Sequence, residues 1–108
     1  MIDWERVNEL KAEVGPEDFA EIVTLFLDEA DDAVARMLAT NSAKSLESEL
    51  HFLKGSALNL GFAELANACQ SAERAAAQGS TSIDTQAIAD LYRDSRRAFE
   101  TAGSSAAA

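Results

Sequence analysis

An all-α domain is what this sequence predicts, in the form of an up-down antiparallel four-helix bundle with a short additional N-terminal helix. Three observations carry that expectation. Apolar residues recur three and four positions apart along most of the chain. Pro16 and most of the five glycines fall where such segments begin or end. Alanine is abundant while aromatic residues make up 6% of the 108 residues, a composition that favours helices over strands. With 47% apolar residues the chain can fill one core, and a second is not expected at this length.

The first helix is short, about Asp3 to Val14, with Asp3 as N-cap, Val7, Leu10 and Val14 on one side, and Gly15 as its end. Pro16 suits a first helical turn, and Glu17 and Asp18 place negative charge at the positive end of the helix dipole. This second helix runs to about Ala39. Phe19, Ile22, Phe26, Ala30, Ala33 and Met37 form one apolar row, with Val23, Leu27, Val34 and Leu38 beside it. Asn41 and Ser42 interrupt the pattern, and a third helix continues to about Leu60 with Leu46, Leu50, Leu53, Ala57 and Leu60 as its core stripe. Gly61 stops it. Leu65, Cys69, Ala72 and Ala76 mark a fourth helix whose small side chains permit close approach. After the turn "AQGSTSID", capped by Asp84 or Ser82, a fifth helix carries Ile88, Leu91, Tyr92, Ser95, Phe99 and Ala102. The expected domain is thus 1–102, with 103–108 ("GSSAAA") as a flexible C-terminal tail.

Charge excludes some functions. Nineteen acidic against nine basic side chains give a formal charge of −10, which repels nucleic acid and anionic membrane surfaces. The acidity is uneven: residues 1–32 hold 11 acids and 2 bases, whereas 33–78 hold 4 of each. "MIDWERVNEL" lacks the basic start and apolar core of a signal peptide, and no run is long enough to span a membrane, so a cytoplasmic location is expected. Cys69, the single cysteine, reads as a buried core residue.

The chemistry centres on "HFLKGSALNLG", residues 51–61, which contains the only histidine. At about 100° per residue, His51 lies more than about 90° from the middle of the leucine stripe and points away from the core. Lys44, Glu47, Lys54, Gly55 and Leu58 share its face by the same spacing. Glycine inside a helix costs about 1 kcal/mol relative to alanine, so Gly55 calls for a packing or functional reason. A missing side chain one turn from the imidazole admits a visiting molecule, and Leu58 offers it an apolar contact. Lys54 brings a cation, and Ser56 a hydroxyl. An exposed imidazole keeps a neutral, nucleophilic fraction near pH 7, so a phosphoryl group suits this face.

His51, Lys54, Gly55, Ser56 and Gly61, in the order H-x-x-K-G-S-x-x-x-x-G, resemble the motif of histidine-containing phosphotransfer (HPt) domains. The resemblance covers nearly the whole chain except the tail. It implies a phosphorelay signal-transduction intermediate, with His51 as phosphoacceptor, exchanging its phosphoryl group with the aspartate of response-regulator receiver domains or linked to a histidine kinase. Lys54 would steady the phosphoryl oxygens, Gly55 would admit the receiver, and Ser56 and Gly61 would shape the helix. Gln70 and Glu73 of the fourth helix are candidates to orient the imidazole. No cofactor is implied on this chain, since the receiver brings its own magnesium, and neither an ATP site nor a second copy is expected. The chain would be a monomeric carrier rather than an enzyme with its own small-molecule substrate.

Two departures stand out. Ala57 occupies a position where many members have a second serine, and bulky Phe62 follows Gly61 where a small residue is common, which bears on the docking surface or on entry into the fourth helix. The competing reading is a non-catalytic helical-bundle adaptor that docks a receiver without carrying phosphate. Other classes fit less well. One histidine and one isolated cysteine do not make a metal site, and Asp28, Glu29, Asp31 and Asp32 read as a solvated face. No spacing pairs His51 with Ser56 or Asp94 as in a hydrolase. "KSLES" lacks the aspartate of an acyl carrier's attachment site, and Phe52 follows the histidine where kinase dimerisation helices carry an acidic residue.

Overall fold

Five helices form, as the spacing predicts: α1 (Trp4–Val14), α2 (Pro16–Ala39), α3 (Ala43–Leu60), α4 (Ala63–Ala77) and α5 (Thr85–Ala107). The structure, a computed structural model, describes the backbone of residues 1–107 and the side chains of 1–102. Among the described residues there is no strand, only an isolated antiparallel bridge between Ile2 and Phe62.

Local chemistry sets the ends. Asp3 caps α1 by accepting from the Arg6 N–H, Ser42 caps α3 by accepting from the Ser45 N–H, and Asp84 rather than Ser82 caps α5 by accepting from the Ala87 N–H. Pro16 sits in the first turn of α2. The backbone of α5 stays helical to Ala107, past the expected boundary at 102; the side chains of the expected tail, 103–108, lie outside the described residues.

In the packing, α3 lies against α2 and α4, while α5 lies against α4 and α2, so the four longer helices enclose one core, and α1 rests on α2 and α3. The predicted α3 stripe of Leu46, Leu50, Leu53, Ala57 and Leu60 is buried throughout. On α2 the buried centre falls between the two expected rows, at Val23, Leu27, Ala30, Ala33 and Met37. Phe19, Phe26 and Val34 are half-buried, and Leu38, expected in the core, is 46% exposed. An apolar band wider than its neighbours leaves its margins in water.

Two features sharpen the sequence reading. Asp31, read as part of a solvated face, is exposed as expected but also binds Arg96 with both oxygens at 3.0 Å and lies 2.6 Å from the Tyr92 hydroxyl, clasping α2 to α5. Burial and the neighbouring Asp31 carboxylate push the Tyr92 phenol up. Phe62 is fully buried, its ring 5.8 Å from that of Phe99 and 6.4 Å from that of Tyr92. Its bulk therefore shapes the core and the entry into α4.

Gly61 makes this junction possible. It adopts φ +77°, and a Cβ there would stand 2.7 Å from the Asp3 carbonyl oxygen and 3.1 Å from a Val7 methyl. The Phe62 N–H returns to the Ala57 carbonyl, the Asp3 N–H donates to the Gly61 carbonyl at 2.7 Å, and the Ala63 N–H reaches the Met1 carbonyl. The N-terminal segment thus supplies a backbone acceptor for α4, whose N-cap, Phe62, has no side-chain oxygen to offer.

Candidate functional site

The α3 stripe that buries its leucines turns the opposite side of the helix to solvent. His51 stands there with its side chain 69% exposed, one turn from Gly55, where an added Cβ would meet nothing within 4 Å. Leu58, 56% exposed, continues the face. Among the described residues, nothing inside the fold explains the missing side chain at Gly55.

From α4, Glu73 reaches the imidazole: its Oε2 lies 2.8 Å from His51 Nδ1, while Oε1 lies 2.6 Å from Lys54 Nζ. Gln70 adds its carbonyl oxygen at 3.0 Å from the same ammonium. The two candidates from the fourth helix thus divide their work, with Glu73 on the ring and Gln70 on Lys54. The Lys54 hydrogen bond holds the Glu73 carboxyl below its usual range against the opposing effect of burial, with His51 adding to the lowering. An ionised carboxylate only accepts, so the proton between Glu73 and His51 belongs to Nδ1. That leaves Nε2 as the unprotonated nitrogen of the neutral ring.

Lys54 is turned toward α4 and not toward open solvent, its side chain 18% exposed. Ser56, about 140° around the helix from His51, is 5% exposed, so its hydroxyl is withdrawn from the imidazole's open side. Gly61 lies ten residues along, at the buried junction with α1. The sequence-derived set therefore separates into a cluster of His51, Lys54, Gln70 and Glu73, an open flank at Gly55 and Leu58, and two structural positions, Ser56 and Gly61.

Several neighbours escaped the sequence reading. Asn59 Nδ2 donates to the Gly55 carbonyl at 3.0 Å while its Oδ1 accepts from Arg6 of α1 at 3.3 Å. Arg36 of α2 binds both oxygens of Glu49 and lies over the Phe52 ring, 5.6 Å from its centroid. Asn59, one turn after Gly55 in the last turn of α3, was a usable sign; the Arg36 contacts depend on helix pairing. Two grooves flank His51. The one toward α4 is lined by Lys44, Glu47, Ser48 and Glu73, and the one toward α2 by Phe26, Glu29, Phe52, Gly55, Ser56 and Asn59.

Among the described residues, no group of three or more His, Cys, Asp or Glu side chains gathers as a metal site would require. No helix there is long and apolar enough to cross a membrane.

A single exposed histidine on a helical scaffold, oriented by a carboxylate from the next helix, defines a helical domain built around one imidazole. The family model for the Hpt domain matches residues 21–102, and the chain belongs to that family. Its fold resembles the crystal structure of histidine-containing phosphotransfer protein B (HptB) from Pseudomonas aeruginosa PAO1, with a TM-score of 0.68 at 22% sequence identity, covering 93% of this chain and 85% of that one. No curated protein matches the chain.

Proposed function

We propose that the chain is a phosphorelay intermediate that carries a phosphoryl group on His51 and exchanges it with the aspartate of response-regulator receiver domains, with a histidine kinase pathway as a further source of the group. The observation that carries this reading is the exposed imidazole whose Nδ1 is bound to Glu73 at 2.8 Å. With the proton held on Nδ1, Nε2 keeps its lone pair for attack. The Nε2–P bond forms as the bond from phosphorus to the aspartyl oxygen breaks, and the receiver's aspartate leaves as a carboxylate. No proton moves. The ring retains its Nδ1–H and becomes cationic, and the ionised Glu73 faces that charge.

Lys54 acts first on Glu73, which it holds at 2.6 Å. Its ammonium can steady phosphoryl oxygens directly only if that bond yields. Gly55 and Leu58 serve approach, and Ser56 and Gly61 serve the shape of α3. The receiver supplies magnesium and the acidic pocket that binds it, so most neutralisation of the transferring group comes from the partner. The same reading entails an up-down antiparallel order for α2 to α5, which the closed set of helix contacts supports. It is also consistent with a phosphotransfer domain over 1–102 followed by a flexible C-terminal tail, and with a monomeric, cytoplasmic carrier.

Incubation with a phosphorylated receiver domain should leave acid-labile, base-stable phosphate on the wild-type chain and none on His51→Gln. Equal labelling of the two would overturn the assignment. Receiver binding without any labelling of the wild type would favour the adaptor.

A further inference from the structure

Gly55 opens the face beside His51 and weakens the turn that carries it. The helical bond closing this turn runs from the Gly55 N–H to the His51 carbonyl. Glycine has more backbone freedom than any other residue, so the turn that presents the imidazole is intrinsically soft. The last turn of α3 offsets this.

Asn59 Nδ2 donates to the Gly55 carbonyl at 3.0 Å, beside the bond that the Asn59 N–H makes to the same oxygen in a regular helix. The other end of the amide accepts from the Arg6 guanidinium at 3.3 Å. Chemistry fixes this orientation: a guanidinium only donates and a carbonyl only accepts, so Oδ1 faces Arg6 and Nδ2 faces Gly55. Arg6 is itself held on α1 by Glu13 at 2.7 Å and Glu9 at 3.5 Å. A hydrogen-bonded chain therefore runs from two carboxylates of α1 through Arg6 and Asn59 to the backbone of the glycine. Asparagine is a poorer helix former than alanine, so the helix alone does not call for it.

We propose that Asn59, steadied by Arg6, is a positioning residue for the phosphoacceptor: it fixes the Gly55 peptide plane and keeps the His51 turn helical while leaving its outer side open. Access comes from the glycine and stiffness from the turn after it. This rests on the phosphoryl-carrier reading and adds to it two residues that act on the imidazole only through the backbone. In-line attack tolerates little misplacement, since an error of about 1 Å costs roughly a hundredfold in rate, so even partial loosening registers in transfer.

The test compares Asn59→Ala with Asn59→Asp in the full chain. Alanine removes both side-chain bonds. Aspartate keeps an acceptor for Arg6, now as an ion pair, but has no proton to give the Gly55 carbonyl. If Asn59 only ties α1 to α3, aspartate preserves its role; if it braces Gly55, both variants fail alike. Hydrogen exchange of the Gly55 amide should speed up by about tenfold in both, with the Leu50 and Cys69 amides changed by less than about twofold. Transfer at saturating phosphorylated receiver should slow by about three- to tenfold, with the half-saturating concentration within about twofold of wild type. Arg6→Met should move both readouts the same way by less, because the Asn59–Gly55 bond survives it. In a Gly55→Ala background, Asn59→Ala should change exchange at residue 55 by less than about threefold, since alanine stiffens the turn by itself.

Unchanged Gly55 exchange in Asn59→Ala, full protection in Asn59→Asp, wild-type transfer despite faster exchange, or a loss confined to the half-saturating concentration would each overturn the inference. The carrier reading fails by a separate result, a wild-type chain that stays unlabelled, and the exchange measurements still decide whether the brace exists.

Discussion

Gly55 and Gly61 lie six residues apart, one inside α3 and the other capping its C-terminal end, and answer to different masters. At Gly61 the fold itself demands glycine, since the backbone has φ +77° and the Asp3 carbonyl oxygen stands 2.7 Å from where a Cβ would go. At Gly55 the backbone is ordinary helix and a Cβ would meet nothing within 4 Å. The fold explains one glycine and makes no comparable demand at the other. Two identical residues therefore mark the closed end and the open face of α3.

The comparison breaks most visibly at Gly61. Gly61→Ala should destabilise the domain by about 1–3 kcal/mol in urea or thermal unfolding, through positive φ and the contact with Asp3. Phosphate transfer should fall only as far as folding does. A variant as stable as wild type would remove the distinction.

Gly55→Leu should do the reverse. Leucine favours a helix interior over glycine by about 0.5–1 kcal/mol, so unfolding should shift slightly toward greater stability. Transfer from a phosphorylated receiver should slow by about tenfold, the scale of one obstructed contact. Unchanged kinetics would leave Gly55 without the role assigned to it.

The smallest effect concerns what holds the imidazole between these two ends. Lys54 lowers the Glu73 carboxyl from its ordinary range in the folded state. A depressed carboxyl contributes stability that is fully present above its unfolded value and is lost as pH falls through the folded one. Acid titration of stability should therefore lose a component of about 0.5–1 kcal/mol below the ordinary carboxylate range, and Lys54→Met should remove that component. An identical acid limb in Lys54→Met would show that the pair contributes nothing to folding.

What was legible in the sequence followed from single-helix geometry. The period of 3.6 sufficed to bury Leu50 and Leu53 while turning His51 outward, and the caps at Asp3 and Ser42 were visible as residue types at segment starts. What was not legible depends on register between helices. Glu73 meets His51 only because the Gly61–Phe62 junction, pinned by the N-terminal segment, sets the rotation of α4 against α3. The partners of the exposed Asp31 were not legible because Tyr92 and Arg96 lie more than sixty positions away. Phe62 was judged from its neighbours in sequence, while its neighbours in space, Tyr92 and Phe99, decide its place.

One buried atom has a practical bearing. Burial, reinforced by the charge of Glu73 and only partly countered by Lys54, pushes the Cys69 thiol up to about 12, and its side chain is fully enclosed. At neutral pH that sulfur is neither ionised nor reachable by maleimides or iodoacetamides. A fluorophore can therefore be attached through a cysteine introduced on the outer surface while the native one stays in place, so that encounters at the histidine can be followed optically in an otherwise unaltered chain.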